Sequence, residues 1–389
     1  MKQTWTNRMT FALAAATLTA SAFAQESTKT SWANSLAFKG DLRYRYEAIQ
    51  DDSKTDAGGD TFTRERHRIR VRLGAEAKLT DSLGAGVELS TGDADPISGN
   101  QTLGDGFSKK EFQLSLAYID YAFFNEKTHK LTAIAGKMKN PFLAMPEDLV
   151  WDGDATPEGL AVKGQVGNDV ATLMANAGYF WVQERPDQDD LMLYAGQVAA
   201  KIHLPKEAAL TLGVAVYAFQ DIQGHDVIDW QGRNGAYGNR TVDGRVSGDS
   251  TNRAWQSKFM PVVPFAKLDA TVAGLPVSVF AQQVTNVDAD DEDQGYAAGL
   301  SLGKARDPKS WEIGYSFAEL EKDAVVGFLT DSDRWGGGTD GRSHRVYGKY
   351  QVLKNLQLGA TYLTGERKIS DSSKKTDYDR LQLDLAVKF

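Results

Sequence analysis

Between Thr63 and Leu79 the chain reads TRERHRIRVRLGAEAKL, with arginine at 64, 66, 68, 70 and 72. A period of two belongs to a strand, whose successive side chains point to opposite faces. Ile69, Val71 and Leu73 fall between the arginines, and the aliphatic row continues as Ala75, Ala77 and Leu79. One face is cationic and the other aliphatic. A slip of one residue would carry every arginine to the aliphatic side, so the pattern specifies its own register. The medium behind such a strand must be apolar, and the medium in front of it wet.

The same alternation recurs along the chain. Leu83–Ser90 sets Leu83, Ala85, Val87 and Leu89 against Gly84, Gly86, Glu88 and Ser90. Trp311, Ile313, Tyr315 and Phe317 oppose Glu312, Gly314 and Ser316, and the C-terminal row Leu381, Leu383, Leu385, Val387 and Phe389 opposes Gln382, Asp384, Ala386 and Lys388. The second faces are polar or small, which fits a wet side rather than a second core. Connections alternate as well. Short ones such as Thr80–Ser82 and Leu353–Asn355 alternate with long polar ones such as Gly92–Lys110, Lys139–Glu158, Asp221–Arg253 and Glu321–Arg342. Tight turns at one end and long loops at the other characterise a transmembrane up-and-down antiparallel β-barrel. The segments between Leu36 and Phe389 predict an all-β chain of about 16 strands, with long external loops and short periplasmic turns. Two segments fit poorly. FMPVVPFAKL (Phe259–Leu268) carries two prolines, which cannot donate to a ladder, and Phe112–Phe124 has Asp120 on an otherwise apolar face. A bulge would repair either.

The first residues, MKQTWTNRMTFALAAATLTASAFAQ, have a basic start, a short apolar run and an Ala22-Phe23-Ala24 cleavage pattern. They predict an export signal at 1–24, a short periplasmic segment at 25–35 and a barrel at 36–389. Removing Lys2 and Arg8 leaves 42 basic residues against 52 acidic. A net-acidic exported chain is a poor match for nucleic acid, where phosphate neutralisation dominates binding. Cysteine is absent, so disulfides do not staple the fold. No later stretch has eighteen apolar residues, which excludes a transmembrane helix but not strands of 9–11 residues with every second one apolar.

A soluble multi-sandwich protein is the rival architecture. Against it, the chain stops on the aromatic Phe389 at the end of an alternating strand, as outer-membrane barrels commonly do for their insertion machinery. Aromatic residues also collect near strand ends: Tyr44 and Tyr46, Phe123 and Phe124, Tyr179 and Trp181. Such girdles mark membrane–water interfaces.

Three stretches resemble the "putative porin" family of Gram-negative outer membranes: DPISGNQTLGDGFSKK (Asp95–Lys110), GKMKNPF (Gly136–Phe142) and DLVWDGDATPEGLAVK (Asp148–Lys163). GDLRYRYE (Gly40–Glu47) and RERHRIRVRLG (Arg64–Gly74) look like that family's first two strands. The resemblance is strongest over residues 36–165. It implies a cell outer-membrane location and a water-filled barrel for small hydrophilic solutes. The partners it implies are membrane lipid and lipopolysaccharide, the insertion machinery, the solutes themselves and, by analogy with general porins, a homotrimer.

The residues then acquire roles. With Ile69, Val71 and Leu73 toward lipid, Arg66, Arg68, Arg70 and Arg72 face the lumen, since an arginine toward lipid near the midplane costs about 2–4 kcal/mol. Arg43 and Arg45 join them from the preceding strand. The six form a basic wall expected to order water and steer anions. Lys139–Glu158 combines acids with Phe142, Leu143, Met145, Leu149, Val150 and Trp151, more apolar residues than an exposed loop needs. It is the third external loop, the one that constricts the pore in general porins. Folded inward, it would set Glu147, Asp148, Asp152 and Asp154 across from the arginines. VDADDED (Val287–Asp293) reads as a solvated loop tip. The five histidines show no metal spacing, no cofactor is expected, and the nucleophile-elbow and phosphate-loop motifs are absent. The expected function is passive diffusion of small hydrophilic solutes and ions. The alternatives are a channel selective for an anionic solute class and, from other classes, an outer-membrane hydrolase or an adhesion barrel.

Overall fold

The computed structural model describes residues 35–228, 236–243 and 253–389. The expected export signal and nearly all of the short segment after it lie outside the described residues. Sixteen strands form the wall: β1 (Leu36–Thr55), β2 (Thr61–Lys78), β3 (Leu83–Thr91), β4 (Phe112–Asn125), β5 (His129–Lys137), β6 (Glu158–Gly167), β7 (Ala171–Gln183), β8 (Leu191–His203), β9 (Ala209–Gln220), β10 (Pro261–Val272), β11 (Leu275–Asn286), β12 (Gln294–Gly303), β13 (Trp311–Leu320), β14 (Gly341–Leu353), β15 (Leu356–Arg367) and β16 (Thr376–Lys388). Each pairs antiparallel with its sequence neighbours, and β1 pairs with β16 from Asp41↔Lys388 to Asp51↔Tyr378. The sheet is a closed barrel, so no strand edge is left unpaired in lipid. At the seam Gly40 and Phe389 exchange backbone hydrogen bonds of 2.9 and 3.0 Å. A Cβ on Gly40 would stand 2.8 Å from the Phe389 ring and 2.5 Å from Arg72 O, so the closure needs glycine there.

The lipid-phase residues point out as their alternation predicts. Leu73, Val87, Ile313, Leu358, Leu383 and Leu385 are all exposed on the outer face. Aromatic contacts gather at both rims: Tyr179 touches Trp181 and Tyr194 at the loop end, and Tyr121 touches Phe123 at the turn end.

The misfit in β4 is a bulge. Ser115 is an extra residue opposite β3, and it changes the phase between Leu114 and Leu116. Beyond it Ile119, Tyr121 and Phe123 face out, while Asp120 turns inward against Gly84. The two prolines of β10 need no bulge. The β10–β11 register is unshifted across them, and the ladder skips Val263 and Pro264. The strand starts later than the alternation suggested. Trp255 and Phe259 are turned into the interior, and the wall begins at Pro261. At the other end of the sequence β1 runs from Leu36 to Thr55, the longest strand of the wall.

The interior is where expectation and structure part. On β8 and β9 the inward residues Leu191, Leu193, Ala195, Ala215, Tyr217 and Phe219 are buried. Val263 and Phe265 of β10, and Phe280 and Val284 of β11, continue this face. Loop residues cover it, so half of the lumen holds a dry core. The other half, around β1, β2 and β16, is charged.

Candidate functional site

Strands β1 and β2 place four charge pairs directly opposite one another: Asp41↔Arg72, Arg43↔Arg70, Arg45↔Arg68 and Glu47↔Arg66. Like charges facing across a ladder repel. The wall offsets this with acids of its own and of neighbouring elements. Glu47 is fully buried and holds Arg66 Nε and Arg380 Nη2 at 2.6 Å each, with Arg45 and Arg68 at 3.6 and 3.7 Å. Arg45 is forked onto Asp384 at 2.6 and 2.8 Å. Asp41 takes Arg70 at 2.9 Å. The six arginines of the predicted wall therefore share one face, and most of their charge is locally paired.

The third long loop, residues 138–157, folds into the barrel. Its apolar residues explain this. Phe142 meets Phe180 and Tyr217 edge-on at 6.3 and 5.5 Å, and Trp151 meets Tyr217 at 5.9 Å. Met138, Met145, Leu149 and Val150 are buried with them. Each such side chain contributes roughly 1.5–3 kcal/mol when removed from water. Gln197 of β8 fixes the loop backbone from both sides, accepting from Leu143 N at 2.7 Å and donating to Leu143 O at 3.0 Å.

The four acids of this loop lie apart. Asp154 touches the arginine wall itself, pairing with Arg72 and, at 3.4 Å, with Arg70, and it also accepts from Gly99 N at 3.2 Å. Glu147 reaches a different set: Arg334 at 2.9 Å, Arg345 of β14 at 3.2 Å and Ser316 Oγ at 2.8 Å. Asp148 accepts from Val150 N and Trp151 N at 2.9 and 3.0 Å, and Asp152 accepts from Ser332 N at 3.0 Å. So they do not form one row facing the arginines across a gap: Asp154 bridges to the wall, and Glu147 anchors the loop to β13 and β14.

Arg334 belongs to a second inward loop, one of the long connections of the sequence. Residues 321–340, between β13 and β14, bury Ala324, Val325, Val326, Phe328, Leu329 and Trp335. Trp335 sits at φ 35° and Gly336–Gly338 at φ 83°, 90° and 85°, a reversal that three glycines make affordable. The turn delivers Asp333 to Arg45 at 3.2 Å and to Arg380 at 2.9 Å. Asp333, Arg334, Arg345 and Arg380 are site residues that the sequence did not point to, whereas the inward phase of Glu47 fits its pairing with Arg66 and Arg68. The signal was present in AVVGFL and DRWGGG, an apolar run and an aromatic–glycine run inside a long loop.

Charges in these loops are tuned by their surroundings. Packing pushes the Asp148 carboxyl up to about 6, against the two backbone N–H groups that favour its ionised form. Burial also raises Asp152 well above the usual range, helped by the nearby Asp331 and Asp154 charges. Burial alone would raise Asp154 too, but Arg72 and Arg70 outweigh it and hold that carboxyl low. Glu147 is held low in the same way, by Arg345 and Arg334.

Two cavities flank the third loop, the first charged and the second of mixed polar and apolar lining. One, of about 800 Å³, opens toward the turn end past Lys39, Lys388 and Phe389 and is lined by Arg43, Arg45, Arg70 and Arg72. The other, of about 750 Å³, lies under the loop that follows β3, beside Asp93, Asp95 and Ser98. They share Arg72, Ser115, Trp151, Asp154 and Thr156, so the Arg72–Asp154 contact stands between them. Among the described residues no group of three or more acids and histidines is placed to hold a metal ion. The acidic run at 287–293 lies away from the lumen wall, with Glu292 near Arg240 and Lys322 at 3.9 and 3.8 Å.

A family model described as "Putative porin" matches residues 57–241 and 266–389. No curated protein matches the chain. Among solved structures, OprB of Pseudomonas putida superposes with a TM-score of 0.57 at 11% identity, over 92% of this chain and 95% of that one. A loop-deletion mutant of OmpT, an outer-membrane protein of Vibrio cholerae, gives 0.50 at 12% identity, over 91% and 99%. Salmonella typhi OmpF in complex with daunomycin gives 0.50 at 11% identity, over 91% and 97%. At such identities the likeness is one of fold.

Proposed function

The chain belongs to the putative porin family and forms an outer-membrane channel, and from that premise we propose that it passes small hydrophilic solutes and ions by passive diffusion along its arginine wall. The observation that carries this reading is the asymmetric filling of the lumen. The loops at 138–157 and 321–340 pack onto the apolar side, the first cavity remains against the charged residues of β1–β3, and the second continues beyond the Arg72–Asp154 contact along β3–β8. A solute crossing the barrel meets charged groups whose fields are focused by the low-dielectric wall behind them. The residues of this route are Arg43, Arg45, Arg70 and Arg72 on the wall, with Asp154 and Glu147 fixing the loops opposite. The reading is of a non-enzymatic channel, with no bond made or broken.

Single-channel recording in planar bilayers tests it. A steady ohmic conductance is expected, and folded protein that inserts without conducting overturns the proposal. Deleting Met145–Thr156 is expected to raise the unit conductance about twofold or more, because that segment separates the two cavities. An unchanged conductance would mean that solutes take another path.

A further inference from the structure

The six wall arginines are not equivalent. Arg45, Arg66, Arg68, Arg70 and Arg72 each have a carboxylate oxygen within 4.0 Å. Arg43 has none among the described residues, and its Nη2 donates to the neutral Asn100 Oδ1 at 2.7 Å. Its Nε is buried without a hydrogen-bond partner, as is the Nε of Arg70, which stands directly opposite it in the ladder. Both residues and Asn100 line the 800 Å³ cavity at the turn end. Within 4.0 Å the other five wall arginines and Arg380 share five carboxylates, Asp41, Glu47, Asp154, Asp333 and Asp384, which leaves Arg43 outside the pairing.

A buried donor without an acceptor carries its full desolvation cost, and like charge beside it adds repulsion. Arg45 follows two residues along β1, and Arg70 faces Arg43 across the ladder, so both neighbours raise the local positive potential. An anion entering the cavity offsets the repulsion through the guanidinium edges that line it, while the Nε atoms stay closed off. The planar guanidinium matches a carboxylate or phosphate, whose paired oxygens accept two parallel N–H bonds. Asn100 contributes by holding the Arg43 fork in place. We infer that Arg43, with Arg70 beside it and Asn100 positioning it, forms a binding subsite for a small oxyanion, a carboxylate or phosphate group that is free or carried by a larger solute. The inference deepens the diffusion reading and rests on it for its role in transport: the subsite would concentrate anionic solutes on the route.

Isothermal titration calorimetry on the folded full-length protein in detergent micelles tests the subsite without requiring conductance. The probes are inorganic phosphate, acetate and the neutral isostere acetamide. Both oxyanions are expected to bind and acetamide is not. Arg43→Gln should weaken oxyanion binding about tenfold, and Arg43→Lys should also fall below the wild type, because charge is kept but the fork is lost. Heat-modifiable migration on gels reports whether each variant is folded, and either variant alone suffices to read the site. Oxyanion binding that is absent in the wild type, or unaltered by both variants, overturns the inference, as does equal binding of acetamide. Stronger binding of phosphate than of acetate would point to phosphate-bearing solutes, and the reverse to carboxylates. The same titrations read as current block in bilayers separate the two proposals. A conducting channel blind to oxyanions refutes the subsite and leaves diffusion standing. A non-conducting barrel that binds phosphate through Arg43 refutes diffusion and leaves the subsite.

Discussion

The two sides of the lumen are built from strands that look alike from outside. β2 and β9 both present an aliphatic row outward, with Leu73 on one and Leu212 and Val216 on the other exposed. Inside they diverge. β2 carries Arg66, Arg68, Arg70 and Arg72, whose partners are polar or charged: Glu47, Asn100, Asp41 and Asp154. β9 carries Ala215, Tyr217 and Phe219, buried under Phe142 and Trp151 of the inward loop. The difference teaches how the barrel is filled. Loops settle where burial removes apolar surface from water, and they reach the charged side through polar groups: Asp154 on Arg70 and Arg72, Asp333 on Arg45 and Arg380, and Asn100 on Arg43 and Arg68.

Each side of this contrast can be broken separately. The largest effect is expected on the dry side, where Phe142→Ala should cost about 3–5 kcal/mol by opening a cavity against Phe180 and Tyr217. Chemical unfolding of the barrel in lipid measures it, and a cost under about 1 kcal/mol would mean that the loop is not seated there. Glu147→Gln comes next. It leaves Arg334, with a side chain only 4% exposed, without its carboxylate, and a loss of about 3 kcal/mol is expected. Recordings of that variant should also show a noisier open channel; quiet traces at unchanged stability would remove Glu147 as the anchor. On the wet side, Arg68, Arg70 and Arg72 changed together to Gln should move the reversal potential in a salt gradient toward cation selectivity. A potential that stays put removes the wall from selectivity.

The smallest effect concerns pH. Asp148 is raised to about 6, so in the folded loop it is neutral below that pH and charged above it. Its contribution to stability is complete below the ordinary carboxylate range and is lost as pH rises toward 6. Relative cation permeability should therefore climb through about pH 6, and Asp148→Asn should flatten that step. A wild-type profile without a step would show that Asp148 does not face the conducting path.

Much of the barrel was legible because lipid imposes a strict rule. Every second residue must be apolar and register cannot slip, so the alternating rows Trp311–Phe317 and Leu381–Val387 fall inside β13 and β16. The inward loop at 138–157 was legible too, since Phe142 and Trp151 have no use in water. The loop at 321–340 was not read as inward, although its AVVGFL run carries the same signal. The dry core went unread for a different reason. A strand with lipid on one face and a core on the other gives a continuous apolar run such as LTLGVAVYAF, which looks like a weaker alternation rather than a second interior.

Taken alone, the sequence determined the barrel, its register and the face on which the arginines stand, because a period-two pattern between lipid and water admits one solution. Tertiary structure decided which arginines keep free charge. Glu47 and Asp333 come to the wall from the same strand and from a distant loop, and Arg380 joins from the far end of the chain. Among the described residues Arg43 has no carboxylate within 4.0 Å, while those carried by β1, β16 and the two inward loops pair with its neighbours. Those distances are set by the folding of segments hundreds of residues apart, and no local spacing records them.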